Sequence, residues 1–449
     1  MESYNQIYKH QQNTEIDIKI NLTVLGIFLF TFYVSITKSF LPFNVTILFL
    51  LSSIVFIVFG KLISKKGITF TRVDVLWFLF YILFVLNISF NNLINPQTIV
   101  DISVYTTALL FLLFVKVNID YYSSSLKLIK LMGIVYAISA VFHYVFTDEY
   151  LSYILPLFEL EEQIEVLELQ RNNSYTGFTN QTAHLAGYIL SAIGVIIFSS
   201  KKEKFSAKLI SILLLILLIY GLLLSAKRAH LIFTIIAILL TYLFSINNKR
   251  IVQNTIRLLS GAIVAIIIAI FLYNSIDNDS DSPIVDFIEE LEYTIVGLLE
   301  GEDVSNGRIT LYRYSWELFK EKPITGIGWK EFRENSIGLI NNEKGSHPHN
   351  IYLQLLTELG IIGFLLFMIP VMYVYYKTFL LLRFLIKDNF FKNWKFGIQF
   401  SFFTQTFFVL YGLTGNLLTD FNFLLIYFLS VSITMSALVK LNLIDKKRV

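Results

Sequence analysis

Apolar residues along this chain gather in long unbroken runs, and the polar residues collect in the segments between them. Runs of about 17 to 28 residues can cross a hydrocarbon core of roughly 30 Å. Backbone groups in lipid must satisfy one another, so each such run reads as a helix. The pattern predicts twelve spans: Ile20–Thr37, Leu41–Phe59, Val73–Phe90, Thr98–Val115, Leu126–Phe146, Ala183–Ser199, Leu209–Ser225, Leu231–Ser245, Leu258–Tyr273, Asn350–Tyr376, Phe396–Leu413 and Leu418–Val439. The fold class is therefore all-α: a polytopic membrane protein of about 12 transmembrane helices, with one long extracytoplasmic loop carrying amphipathic helices. Residues 1–273 hold the first nine helices, 274–348 the loop and 349–449 the last three.

Composition agrees. Of 449 residues, 55% are hydrophobic and 15% charged, against about 25% charged in soluble domains, and the mean hydropathy is +0.65. The first 19 residues are polar and no small-residue cleavage site follows the first apolar run, which reads as a retained helix rather than a signal peptide. With no cysteine, disulfides, thiolate metal sites and cysteine nucleophiles are excluded.

The net charge of +3 matters less than its distribution. With a cytoplasmic N-terminus, 25 of the 36 Lys and Arg residues fall in inside segments, among them Lys61, Lys65, Lys66 and Arg72. That bias sets the orientation, with both termini cytoplasmic. Two outside segments are long, and long loops tend to carry function. The first, Thr147–Thr182, is acidic. The second, Asn274–His349, opens on Asp277, Asp279 and Asp281. It then spaces Ile309, Tyr312, Trp316 and Phe319 as one helical face, which either lies in the membrane interface or packs on the bundle.

Three stretches could carry chemistry. The helix rising from Lys208 covers about 26 Å in seventeen residues, which puts Lys227 and Arg228 at the outer boundary. Two cations on that side either snorkel to lipid phosphates or form an anion site, to which the arginine fork is suited. Next, a glycine turn before Arg308 sets that residue at a helix start, where anions are attracted; Arg313 follows. The alternative is a solvated loop arginine. Third comes Gly345 to Gly360, with His347 and His349 around Pro348. Proline disfavours helix before it, so a helix begins near His349 or Asn350. Asn350, Gln354 and Glu358 then form one polar stripe, and Glu358 lies about two turns deep, where an ionisable group is normally paired or functional. A structural cap remains the alternative for His349.

Gly326-Ile327-Gly328 lacks the third glycine and the preceding strand of a nucleotide site, and is not one. His143 and His184 rank low as site residues. Carboxylate spacing fits neither a calcium loop nor a zinc site.

Together, Gly307-Arg308, Trp316, Pro323 to Gly328 and Phe332, then His349-Asn350-Ile351-Tyr352-Leu353-Gln354 and Glu358 to Gly363, resemble the bacterial O-antigen ligase and O-antigen polymerase superfamily. Ser225-Ala226-Lys227-Arg228 is similar to its serine-arginine element with two residues intervening. Gly177-Phe178-Thr179-Asn180-Gln181 is similar to its short glycine/asparagine element, with Gln181-Thr182 in place of the commoner Pro-Asn.

The resemblance implies an inverting, metal-independent glycosyltransferase in the inner, or cytoplasmic, membrane with its active site outside. Its donor is a polyprenyl-pyrophosphate-linked glycan, its acceptor a glycan or lipid. Arg228 and Arg308 match the arginines that bind the pyrophosphate, and His349 the histidine cast as base toward the acceptor hydroxyl. Lys227, Arg313, His347, Asn350, Gln354, Glu358 and Asn180 are the further substrate-binding candidates. No cofactor, metal or nucleic acid is implied; membrane lipids, a flippase and a chain-length regulator are the implied partners. Repeat-unit polymerase, ligase to lipid A-core and protein O-oligosaccharyltransferase share these motifs. A polysaccharide or lipid transporter is the other class, but it calls for inverted repeats and midplane charges, whereas the unusual polar residues here sit at one edge.

Overall fold

The computed structural model describes residues 22–63, 70–91, 94–199, 205–245, 305, 307–341, 345–387 and 392–445, with isolated positions 289, 293, 296 and 297. The ninth expected span, Leu258–Tyr273, lies outside them, as do Asp277, Asp279 and Asp281 and the expected division at 273/274.

The helices are α1 (Leu22–Ile36), α2 (Phe43–Ile63), α3 (Arg72–Phe90), α4 (Pro96–Phe114), α5 (Ser123–Val145), α6 (Leu160–Arg171), α7 (Thr182–Ser199), α8 (Phe205–Leu224), α9 (Arg228–Phe244), α10 (Arg308–Glu321), α11 (Glu331–Asn335), α12 (Ile351–Lys387), α13 (Lys392–Tyr411) and α14 (Phe421–Asp445). The described residues contain no strand, only an isolated bridge between Ser39 and Thr179.

Eight of these helices (α2 to α5, α7, α8, α12 and α14) are long and apolar enough to span a membrane, and α1 and α9 are shorter apolar helices. The expected count of about twelve is not reached among the described residues. α13 occupies the eleventh expected span but is too polar for that class, for a physical reason. Its Ser401, Thr404, Gln405 and Thr406 face inward and are buried. Gln405 Oε1 accepts from Thr378 of α12 at 2.8 Å, and its Nε2 donates to Thr434 of α14 at 3.3 Å. Such bonds join helices where lipid offers no partner.

Burial separates centre from periphery. The apolar window of α14 is 89% buried and that of α7 83%, whereas α8 is 22% and α2 28%. An all-round apolar helix that is buried is a core element, so α7 and α14 form the centre. Around them α5 packs on α7 and α8, α9 and α12 on α13, and α3 on α12. α2 and α8 turn Leu48, Leu51, Phe59, Leu213 and Ile216 outward.

The tenth expected span differs most. α12 runs to Lys387 and is broken at Gly360, whose φ of 67° and ψ of −174° only glycine adopts readily. The break frees carbonyls that a continuous helix would use. The segment Pro323–Gly328 takes them: Ile327 N donates to Thr357 O at 2.9 Å and Gly328 N to Glu358 O at 3.1 Å. Ile361 N in turn donates to Pro323 O at 2.9 Å. The Gly-Ile-Gly stretch is therefore a strap across a broken helix. It is pinned to α3 by Asn87, which accepts from Trp329 N at 2.9 Å and donates to Thr325 O at 3.2 Å.

Of the two dispositions expected for the aromatic face of α10, packing on the bundle is not what the structure shows. Leu311, Ser315 and Leu318 are the buried side, while Ile309 is 40% and Trp316 48% exposed. The aromatic pattern obscured the true contact: Ser315 shares a hydroxyl bond of 2.6 Å with Thr357 of α12, and Phe332 completes the small core.

Candidate active site

Five helices begin at one end of the bundle around a cavity of about 980 Å³: α4, α7, α9, α10 and α14. Each start carries roughly half a positive charge from unpaired backbone N–H groups. The wall adds Lys38, Lys227, Arg228, Arg308, Lys330 and Arg333 against Glu165, Glu331, Glu334 and Asp420. Cation excess and converging helix starts make a cavity suited to an anion.

Local sequence explains how the arginines arrive there. α8 ends at Leu224, and only Ser225, Ala226 and Lys227 separate it from α9. Ser225 Oγ donates to Leu222 O at 2.6 Å and Ala226 takes a φ of 51°, which turns the chain so that Arg228 is the first residue of α9. Gly307, at φ 77°, precedes Arg308 as the first residue of α10. One turn later, the Tyr312 hydroxyl lies 3.2 Å from His349 O and 3.0 Å from Leu413 O, holding Arg308 beside the histidine loop.

His349 itself has a left-handed φ of 51°. Asn350 caps α12 by accepting from Tyr352 N at 3.0 Å and Leu353 N at 3.1 Å. Asn416, between α13 and α14, meets His349 twice, accepting from its backbone N–H at 3.0 Å and standing 3.2 Å from Nδ1. Burial, then the charges of Arg308 and Lys227, hold the His349 pKa down to about 4 despite Asp420 nearby. His347 is likewise pushed to about 4, by burial and then Arg333, Lys330 and His349. Both rings are neutral at pH 7.

On the opposite wall the Ser39–Thr179 bridge brings Lys38 and Asn180 together, Asn180 N donating to Lys38 O at 3.2 Å. Asn180 Nδ2 donates to Glu162 of α6 at 2.7 Å, which turns its Oδ1 toward His184 Nδ1 at 2.9 Å. His184 Nε2 reaches Asp420 at 3.0 Å. Burial alone would raise Asp420, but the His184 bond and the charges of His184, Lys38 and His230 bring it below the usual carboxylate range. It is an anion on the rim of a cationic cavity.

Arg228, Arg308, His349, Lys227, His347 and Asn180 thus line one cavity, though the chain separates them widely. Four other candidates do not reach it. Arg313 is exposed on α10. Asn350 is spent on the cap. Gln354 and Glu358 are sealed, 1% and 0% exposed, and bonded to each other at 3.1 Å. Beside them, Asp101 is buried and holds Trp329 Nε1 and Lys330 Nζ, each at 2.7 Å. Asp101 therefore anchors the end of the strap, while the pair of Gln354 and Glu358 is buried within α12.

Sequence reasoning passed over Lys38, His184, Asn416, Asp420, Lys330 and Arg333. Lys38 and Asp420 were visible as charges near the ends of expected spans, and His184 as a histidine near another. Asn416 carried no signal. Among the described residues no three His, Asp or Glu side chains gather as a metal ligand set.

Fold and site define a polytopic helical membrane protein with an anion-receptive cavity at one end of its bundle. Residues 213–368 match the family model described as O-antigen ligase. That segment contains Arg228, Arg308 and His349, and the match agrees with the resemblance carried by the motifs. No curated protein matches the chain.

Proposed function

We propose that the protein is a membrane glycan transferase. It takes a glycan from a polyprenyl-pyrophosphate carrier at the extracytoplasmic face of a bacterial cytoplasmic membrane and joins repeat units of an O-antigen, capsule or exopolysaccharide. The observation that carries this reading is the gathering of Arg228, Arg308 and His349 with five helix starts around one cavity. A pyrophosphate-linked sugar is already activated, so catalysis needs positioning and stabilisation of charge on the leaving group. The sugar C1–O bond to phosphate breaks, its electron pair passing to the pyrophosphate. The acceptor oxygen bonds C1 from the opposite side, inverting it, and releases its proton. Arg228 and Arg308 take up the developing charge.

The description of the matched family favours a second reading, transfer of the finished glycan to lipid A-core. The two are separated by giving purified protein polyprenyl-pyrophosphate repeat units with and without lipid A-core. Chain growth without the core supports the polymerase. Product only with the core makes it a ligase, and none in either case ends the transferase reading. A transporter reading would draw on the broken α12, but the strap consumes the carbonyls that a transporter leaves open for its cargo.

A further inference from the structure

His349 has two ring nitrogens, and its neutral form carries one proton. Which nitrogen holds it follows from Asn416. A backbone N–H can only donate, so the Asn416 atom 3.0 Å from His349 N is Oδ1. The atom 3.2 Å from His349 Nδ1 is then Nδ2, which also only donates. Nδ1 must accept, and the proton sits on Nε2. Reversing the amide would set Nδ2 against the backbone N–H, two donors face to face. Reorienting the loop would cost the Tyr312 bond to His349 O and the Asn350 cap.

We propose that Asn416 is a positioning residue holding His349 in the Nε2-protonated tautomer, so that His349 serves transfer as a hydrogen-bond donor to the pyrophosphate and not as the base toward the acceptor. This rests on the transferase reading of the cavity. No described residue hydrogen-bonds Nε2, and His349 lines the cavity. The groups acting on the ring are Arg308 at the start of α10, Lys227 before α9, Asp420 before α14, and His347 in the same loop. Two of the three charged groups are cations, and they disfavour a charged ring. An N–H at Nε2 complements a phosphate oxygen; a lone pair there would repel it. In the balanced step the C1–O electron pair goes to the pyrophosphate, the acceptor oxygen bonds C1, and its proton ends on the departing pyrophosphate. His349 keeps its proton throughout.

The test uses full-length protein labelled with ¹⁵N-histidine. The chain has 6 histidines, and His349→Gln identifies the signal. Nε2 is expected protonated and Nδ1 bare, and Asn416→Asp, which retains an acceptor for His349 N–H, should move the proton to Nδ1. A wild-type ring protonated at Nδ1 overturns the proposal. Turnover on a polyprenyl-pyrophosphate glycan gives a second readout. His349→Gln supplies an N–H but no base, and should stay within about tenfold of wild type, while His349→Ala and Asn416→Asp lose about a hundredfold or more. His349→Gln as inactive as His349→Ala, with Asn416→Asp fully active, restores the base. Wild-type protein that fails to turn over removes the transferase reading, while the ¹⁵N signals still decide the tautomer.

Discussion

Replacing Gly360 with alanine attacks the joint between fold and site. At φ 67° and ψ −174° a side chain costs about 1–3 kcal/mol. A Cβ there would also run into the Ile324 carbonyl and Gly326 N. The chain's escape is to straighten α12, which returns the carbonyls of Thr357 and Glu358 to the helix and ejects the strap. Three strap bonds are then lost, at about 1 kcal/mol each; the restored helix bonds offset part of this. Ejection therefore costs less than about 3 kcal/mol, whereas keeping the strap costs the backbone strain and the clash together, so the strap should be mostly detached. Trp329 and Lys330 would leave Asp101, and Lys330 the cavity wall. Limited proteolysis in detergent, read by mass spectrometry, should show new cleavage at 322–330, with a lower thermal midpoint and weaker transfer. Gly338→Ala is the control: its φ is 82° but nothing lies within 4 Å of the added carbon, so it should show strain alone. Unchanged proteolysis and midpoint in Gly360→Ala would refute the strap as a clamp on a broken helix.

Arg228→Ala should lower transfer on the order of a hundredfold while the protein still accumulates in the membrane; undiminished polymer length removes Arg228 from the pyrophosphate site. Arg308→Lys keeps charge but loses the fork, so it should raise KM for the lipid-linked donor, and unaltered donor kinetics argue against bidentate contact. Transfer should persist in chelator, and inhibition reversed by an added divalent ion would contradict a metal-independent mechanism. Between about pH 6.5 and 4, His347 and His349 stay neutral when folded but take up protons when unfolded. Stability should therefore fall as pH drops through that window, by about 1.4 kcal/mol per unit for each ring at most. Thermal midpoints of His347→Ala and His349→Ala should be flatter across it, and curves as steep as wild type would mean the rings are not held neutral. Asp420, held low, adds stability that persists above about 4 and disappears only as pH falls through its lowered value.

Much of this was open to a reader of the chain. Apolar run length decides whether a segment can cross hydrocarbon, and that is a local property, so eleven of the expected spans coincide with described helices. Arg308 was legible at a helix start because a glycine turn precedes it, and Arg228 at a helix end because the length of the preceding helix carries the chain there. Glu358 was read as an ionisable group that is paired or functional, and the structure pairs it with Gln354. That partner lies one turn away on the same stripe, whereas the Glu358 backbone carbonyl receives Gly328 of the strap, a contact made across the fold that periodicity along α12 does not record.

The residues alone determined which segments form long apolar helices and that Lys227, Arg228 and Arg308 stand at helix ends. Only tertiary structure decided that Arg228, Arg308 and His349 share a cavity, that α12 breaks to receive a strap, and that Asn416 governs the proton on His349. The reason is range. Hydrophobic runs and helix starts depend on neighbours within a few turns, whereas Asn416 meets His349 from 67 positions away and His184 meets Asp420 from 236. Distances of that kind are set by packing.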